Sequence, residues 1–236
     1  MEKVVIYGAG GLGCLVLDIL EQAGRYRPVA FLDSNPQKHG RVVNGLPVRG
    51  GLEQIDALRK EGAGRAIVAI GDNVTRVALA ETLEAHGIEL ISAIHPLASL
   101  ALSARLERHV VIGPRANVCV HARIGPHCVV SAGVIVEHDN QIGQGVFLHP
   151  AARLAGGVTV EDFAVVGIGA AIIPGRRVGR GARVDPGAVV IRDVPPNTTV
   201  SGIPASRFGP MQSRFTAEAW SSSKEAADPA VTTQAD

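Results

Sequence analysis

The chain has 236 residues, enough for one large domain or two small ones with real cores. Its formal net charge is +1 and only 3% of its residues are aromatic, which excludes a general pull toward nucleic acid or acidic membrane and leaves little for stacking bases. Three cysteines, Cys14, Cys119 and Cys128, make no even disulfide framework and read as small buried thiols in a reducing compartment.

The opening MEKVVIYGAGG lacks the basic region, apolar stretch and small-residue cleavage site of a signal peptide. No apolar run approaches the roughly 20 residues that span a bilayer. The expectation is a cytoplasmic protein without membrane insertion. VVIYGAGGLG predicts a short β-branched strand running into Gly8, Gly10, Gly11 and Gly13, and CLVLDILEQAG predicts a helix that stops at Gly24. PVAFLD predicts a second strand ending at Asp33, AIVAIGDN a third, and VTRVALAETLEAHG a second amphipathic helix. Strands alternating with helices imply a parallel sheet.

Gly8, Gly10 and Gly13 match G-x-G-x-x-G, and Asp33 follows Gly13 by twenty residues. Glycines there let backbone N–H groups approach a phosphate at a helix N-terminus, and an acid at the end of the second strand can accept from a ribose hydroxyl. Three readings fit: a dinucleotide such as NAD, a nucleotide-linked sugar, or a glycine-rich turn that binds nothing. The unit has the length of one mononucleotide-binding half, which weighs against NAD.

From Ile94 the chain changes character. Written in sixes (IHPLAS, LALSAR, LERHVV and onward to VIRDVP) it holds seventeen hexads from Ile94 to Pro195 without an insertion. The first position is Ile, Leu or Val in all seventeen; the fifth is Ala, Val or Cys in fifteen, with Asn140 and Arg176 the exceptions. One large and one small buried residue per short strand describes a parallel β-solenoid with three faces and an eighteen-residue coil. The hexads resemble those of the hexapeptide-repeat acyltransferases, which implies a left-handed parallel β-helix and a homotrimer that binds acyl-CoA between neighbouring prisms.

The combination narrows the resemblance. YGAGG, FLD, AIGDN, IHP, VEHD, LAGGV and VSGIPA, spread over about residues 3 to 208, resemble the NeuD/PglD family of sugar acetyltransferases. The expected fold is therefore an α/β, Rossmann-like βαβ nucleotide-sugar-binding domain (1–92), followed by a left-handed β-helix acyltransferase domain (93–208) and a disordered tail (209–236). The resemblance implies transfer of acetyl from acetyl-CoA to a nucleotide-linked amino sugar, or O-acetylation of sialic acid or another sugar, in glycan or surface-polysaccharide synthesis.

VEHD is the chemical focus. Residues eighteen apart stack on successive coils about 4.8 Å apart, and His138 falls near a corner between the buried Val136 and the fifth-position Asn140. An amine or hydroxyl attacking a thioester must lose a proton, which a positioned histidine can take, and an adjacent carboxylate can hold its tautomer. A polar turn is the plain alternative. Matched to the family motif, His138 is the general base and Asp139 its orienting acid. The resemblance further implies substrate contacts at Gly8, Gly10, Gly11, Gly13, Asp33, Ser34, Ile70, Gly71 and Glu137, and acetyl-CoA contacts at Phe147, Gly156 and Ile168. It implies no metal.

The other histidines carry less. His109 and His127 stack in register but lack a third ligand at metal spacing, and read as ordinary exposed residues. His121, one coil below Asp139, and His149, one coil above Ser131, are candidates to line the same groove. Arg176, Arg177, Arg180 and Arg183 suit the CoA phosphates or form a solvated basic edge. The chain departs from the family at Leu12 and Phe147, where histidines are usual, and at Ser131, where asparagine is common. Two functions of other classes compete: a non-catalytic binding solenoid, and an NAD-binding oxidoreductase supported only by the glycine loop.

Overall fold

A computed structural model describes residues 1–207; the tail expected at 209–236 lies outside them. β1 (Glu2–Tyr7) leads into α1 (Gly11–Ala23) and β2 (Tyr26–Leu32). A small hairpin of β3 (Val42–Val43) and β4 (Leu46–Pro47) and the short α2 (Ile55–Lys60) precede β5 (Arg65–Val68), α3 (Asn73–Ala85) and β6 (Glu89–Leu90). The sheet order is β2-β1-β5-β6, all parallel. Val4, Val5 and Ile6 are completely buried, as a central strand covered on both faces requires. α1 ends where Gly24, at φ 64°, turns its N–H back to the Leu20 carbonyl at 3.1 Å. No helix among the described residues is long and apolar enough to cross a membrane.

From Ala93 the hexads become two-residue strands in three ladders of eight, six and five strands, parallel throughout except for the last strand of the eight. Partners are eighteen residues apart, as in Val118↔Val136 and Val136↔Leu154. First- and fifth-position side chains, from Val110 and Ile112 to Val190 and Val194, form one interior cluster. The solenoid closes on an antiparallel hairpin, Thr199–Ser201 with Ser206–Arg207, formed by the VSGIPA segment.

Each coil turns its corners at the fourth hexad position. Seven glycines there have positive φ (Gly133, Gly145, Gly157, Gly169, Gly175, Gly181, Gly187), and so do His109, Arg115, His121, His127, Asp139, Ala151 and Phe163. Glycine bears that left-handed conformation freely; Asp and His bear it better than most other side chains.

The eight-stranded ladder also explains how the two parts join. Its outward sixth-position residues, Ala93, Val111, Val129 and Phe147, pack with Val16, Leu17, Ile19 and Leu20 in one apolar cluster under α1. The corresponding positions on another ladder are Arg105, Arg123, Gln141, Thr159 and Arg177. One face in three is therefore apolar, and the N-terminal domain covers it.

A buried polar latch completes the joint. Arg76 of α3, only 1% exposed, donates to the carbonyls of His127 (2.9 Å), Gly145 (2.9 Å) and Ile70 (2.9 Å) and to Asn73 Oδ1 (2.8 Å). Asn73 Nδ2 donates to the Phe163 carbonyl at 3.0 Å. His109 and His127, expected to be exposed, are 2% and 1% exposed. Their left-handed corner turns them under the sheet of the N-terminal domain. The Val68 N–H donates to His109 Nε2 at 2.9 Å, so His109 carries its proton on Nδ1 and donates it to His127 Nδ1 at 2.8 Å. The pair is structural, and it links β5 to two successive coils.

Two expectations follow from this joint. Arg76→Ala should cost about 3 kcal/mol or more, because it orphans several buried acceptors at once; urea unfolding checks this. Burial, aided by nearby Arg76 and Arg108, lowers His109 to about 3 and His127 to about 4. Unfolded histidines titrate near 6.5, so below that pH the unfolded chain binds more protons and stability is lost as pH falls. The unfolding free energy should drop by at least about 1 kcal/mol between about pH 6.5 and 4, measured by urea unfolding at fixed salt.

Candidate active site

The glycine loop opens at the carboxyl ends of the strands. The chain passes from β1 to β2 on one side and to β5 on the other, which places the topological switch point between β1 and β5, where open α/β sheets take ligands. Gly8, at φ 117°, and Gly13 are packing glycines: a Cβ on Gly8 would overlap the Ala69 carbonyl, and one on Gly13 the Gly8 carbonyl. Gly10, which caps α1, and Gly11 and Gly71 have nothing within 4 Å of a built Cβ. The loop thus divides into glycines that let the backbone close up and glycines that leave the helix N-terminus open to an anion.

Asp33 already has partners. Its Oδ2 accepts from the Ala9 N–H (2.9 Å) and from Lys38 Nζ (2.8 Å), and Oδ1 accepts from the Asn35 N–H (2.9 Å). Burial alone would raise its pKa; Lys38 and these backbone bonds outweigh that and hold it lowered. Asp33 therefore ties the end of β2 to the glycine turn, whatever else it does. Ser34 Oγ lies 2.9 Å from Tyr7 Oη. Ile70 and Gly71 are held by their carbonyls from Arg76 Nη1, at 2.9 Å and 3.4 Å.

The VEHD turn sits at the corner between the strands Ile135–Val136 and Gln141–Ile142, across the prism from the face that α1 covers. Asp139 makes the corner at φ 59°, which turns its carboxylate back toward its neighbour. His138 Nδ1 lies 2.8 Å from Asp139 Oδ2, and His121 Nδ1 reaches Oδ1 from the coil below at 3.5 Å. The bond from His138 lowers the Asp139 pKa, with His121 adding to it. A carboxylate on Nδ1 leaves Nε2 as the unprotonated nitrogen, and Nε2 has no hydrogen-bond partner among the described residues.

Gly156 stacks directly over this ring: a Cβ there would overlap His138 Nε2 and Cε1. The missing side chain at Gly156 leaves room for the imidazole. Glu137, half-buried, neighbours Cys119 one coil below and helps raise its thiol pKa, after burial. Cys14 and Cys119 are half-buried, and only Cys128 is fully buried as expected.

Three expectations for the donor side need correction. Phe147 is 8% exposed and lies in the cluster under α1, with the Arg76 guanidinium 5.6 Å from its ring centroid. It occupies a sixth position on the covered face, so it packs the joint and does not line an open groove. His149 stacks on Phe147 at 4.3 Å, one corner away from His138, and does not share its turn within the chain. Arg177 and Arg180 are ion-paired with Glu161 and Asp162, which neutralises half of the expected basic cluster. Ile168, at 55% exposed, does project from a corner.

Sequence reasoning missed the positive-φ rule at the fourth position, although seven glycines there mark it, and missed the apolar sixth positions that identify the covered face. Gly156→Ala should displace the imidazole while leaving the coil folded, because only the end of a movable side chain stands in the way. The change should appear as altered His138 ring-nitrogen shifts by NMR, with unfolding stability within about 1 kcal/mol of the parent.

A family model described as the PglD N-terminal domain matches residues 3–83. PerB from Caulobacter crescentus, solved in complex with CoA and GDP-perosamine, is 36% identical with a TM-score of 0.84, over 89% of this chain and 98% of that one. The acetyltransferase domain of PglB from Neisseria gonorrhoeae, solved with acetyl coenzyme A, is 29% identical with a TM-score of 0.80, over 88% and 99%. WeeI from Acinetobacter baumannii is 27% identical with a TM-score of 0.79, over 88% and 100%. An α/β domain joined to a solenoid of about six left-handed coils is common to the chain and these structures. With this identity sustained over nearly the whole of PerB, the chain belongs to the PglD/NeuD-like family of sugar acetyltransferases.

Proposed function

We propose that the chain transfers acetyl from acetyl-CoA to the amine of a nucleotide-linked amino sugar, with His138 as general base. The observation that carries this reading is the His138–Asp139 pair: Nδ1 engaged by a carboxylate at 2.8 Å and Nε2 unpartnered over Gly156. Support for the substrate class comes from the GDP-perosamine N-acetyltransferase of C. crescentus, solved with CoA and GDP-perosamine.

The free amine attacks the thioester carbonyl as Nε2 takes a proton from the attacking nitrogen. The imidazolium is stabilised by Asp139. The tetrahedral intermediate expels the CoA sulfur, and the imidazolium returns the proton to it, leaving an amide and free thiol. The glycine loop holds the nucleotide phosphates at the N-terminus of α1, where Gly10, Gly11 and Gly71 leave space. Asp33, Ser34 and Ile70 frame that opening, and Glu137 stands beside the acceptor. Gly156 and the exposed Ile168 mark the path of the CoA arm.

His138→Ala should lower kcat by about 10² or more and Asp139→Asn by less, because the second variant keeps the base. A thiol-release assay with acetyl-CoA and GDP- or UDP-linked amino sugars measures both. If His138→Ala keeps more than about half its kcat, the stretch is a polar turn.

We further infer that the site forms between copies in a homotrimer. The N-terminal domain covers the face opposite the His138 corner, so the prism stands between the glycine loop and the base of the same chain. Co-expression of a Gly10→Glu chain, whose carboxylate repels phosphate, with a His138→Ala chain should restore activity that neither has alone. Persistent inactivity of the mixed oligomers would place loop and base in one chain.

A further inference from the structure

We infer that Asn140 is a positioning residue for the base: its buried amide clasps the His138 turn to the Gly156 turn above it. The inference rests on the reading of His138 given above.

Fifth hexad positions follow a rule. All nine that carry alanine (Ala98, Ala104 and Ala116 through Ala188) donate their N–H to the carbonyl of the second position, closing the corner, as in Ala122 to Cys119 at 3.3 Å and Ala182 to Gly179 at 3.0 Å. The bulkier residues Val110, Cys128, Val146, Val158 and Val194 do not make this bond, and Val134 makes it only at 3.4 Å. A larger side chain pointing inward opens the turn.

Asn140 and Val158 are stacked in one column, so two successive turns, 137–140 and 155–158, both lack the backbone clasp. One side chain replaces both bonds. Asn140 Nδ2 donates to the Glu137 carbonyl at 2.7 Å and to the Ala155 carbonyl at 3.1 Å. Both acceptors are carbonyls, so the amide must present its nitrogen to them. The two turns so joined contain the His138 imidazole and the Gly156 backbone it lies against.

The arrangement is costly for the fold. Asn140 is completely buried in an interior of Ala, Val, Ile and Leu, and its Oδ1 has no partner among the described residues. A buried unpaired carbonyl destabilises, and alanine at the same position closes its own corner elsewhere. The amide therefore makes sense as a device that holds two open turns at a fixed spacing around the ring, where an error of about 1 Å can cost 10²-fold in rate.

The test is Asn140→Ala, with Asn140→Val as a second variant because valine already occupies five fifth positions. Both should keep the parent's oligomeric state and melt no lower than the parent. Both should lose about 10- to 100-fold in kcat with the KM for acetyl-CoA unchanged. In a His138→Ala background, Asn140→Ala should cause no further loss, because there is no base left to position. A kcat within twofold of the parent overturns the inference, and so does an equal further loss in the His138→Ala background, which marks a general structural lesion. Near-normal turnover by His138→Ala alone overturns the reading of the base itself and is seen in a separate variant.

Discussion

The corner residue at positive φ is the constraint on which the rest of the molecule depends. A coil of eighteen residues turns three corners, and at fourteen of the seventeen fourth positions the backbone does so at positive φ. Side chains accepted at those points are few, because a Cβ in the left-handed region crowds the neighbouring carbonyl. Where the chain uses glycine, the corner is bare. Where it uses Asp139, the corner presents a carboxylate beside His138; where it uses His109 and His127, it presents imidazoles beneath the N-terminal sheet. The same backbone requirement thus yields a candidate catalytic corner and a structural one, and the difference lies in what covers each.

The covering is set by the sixth positions and by Arg76. Ala93, Val111, Val129 and Phe147 make one face apolar, and α1 removes it from water. Burial of that area supplies the attraction but not a unique register, since apolar contact is non-directional. Register comes from the guanidinium, which meets the carbonyls of the corners at His127 and Gly145, and from Asn73 at the next corner. Three corners of one column are thereby fixed to the N-terminus of α3. The loop that carries Ile70 and Gly71 is tied to the same arginine, so the edge of the glycine-loop opening is anchored to the solenoid. Desolvation of this arginine brings its pKa down to about 10, still leaving it charged at neutral pH.

The candidate catalytic corner, by contrast, is open. His138, His121 and Asp139 have side chains more than half exposed, and the pair they form is the geometry of a base awaiting a partner surface. An exposed imidazole–carboxylate pair is weak in water and gains strength when the water is excluded. A neighbouring prism and the bound substrates would do this, which connects the proposed trimer to the proposed chemistry.

Much of this was legible in the sequence, for a physical reason. A solenoid is built from contacts between residues a fixed distance apart in the chain, so its period, its interior and the stacking of His121 under Asp139 can be counted off the hexads. The glycine loop and the pairing of His138 with Asp139 are equally local. What the tertiary structure alone decided depends on contacts between distant segments. The sequence places His109, His127 and Phe147 at surface positions of the coil, and they are surface positions until the N-terminal domain docks; docking turns two expected exposed histidines into a buried pair and an expected ligand contact into core. The engagement of Asp33 by Lys38, the pairing of Arg177 and Arg180 with acids sixteen and eighteen residues away, and the double clasp of Asn140 are nearer in the chain, but each depends on a side-chain conformation that the period does not specify. Periodicity determines which residues a coil turns inward or outward; only the packed molecule determines what meets the outward ones.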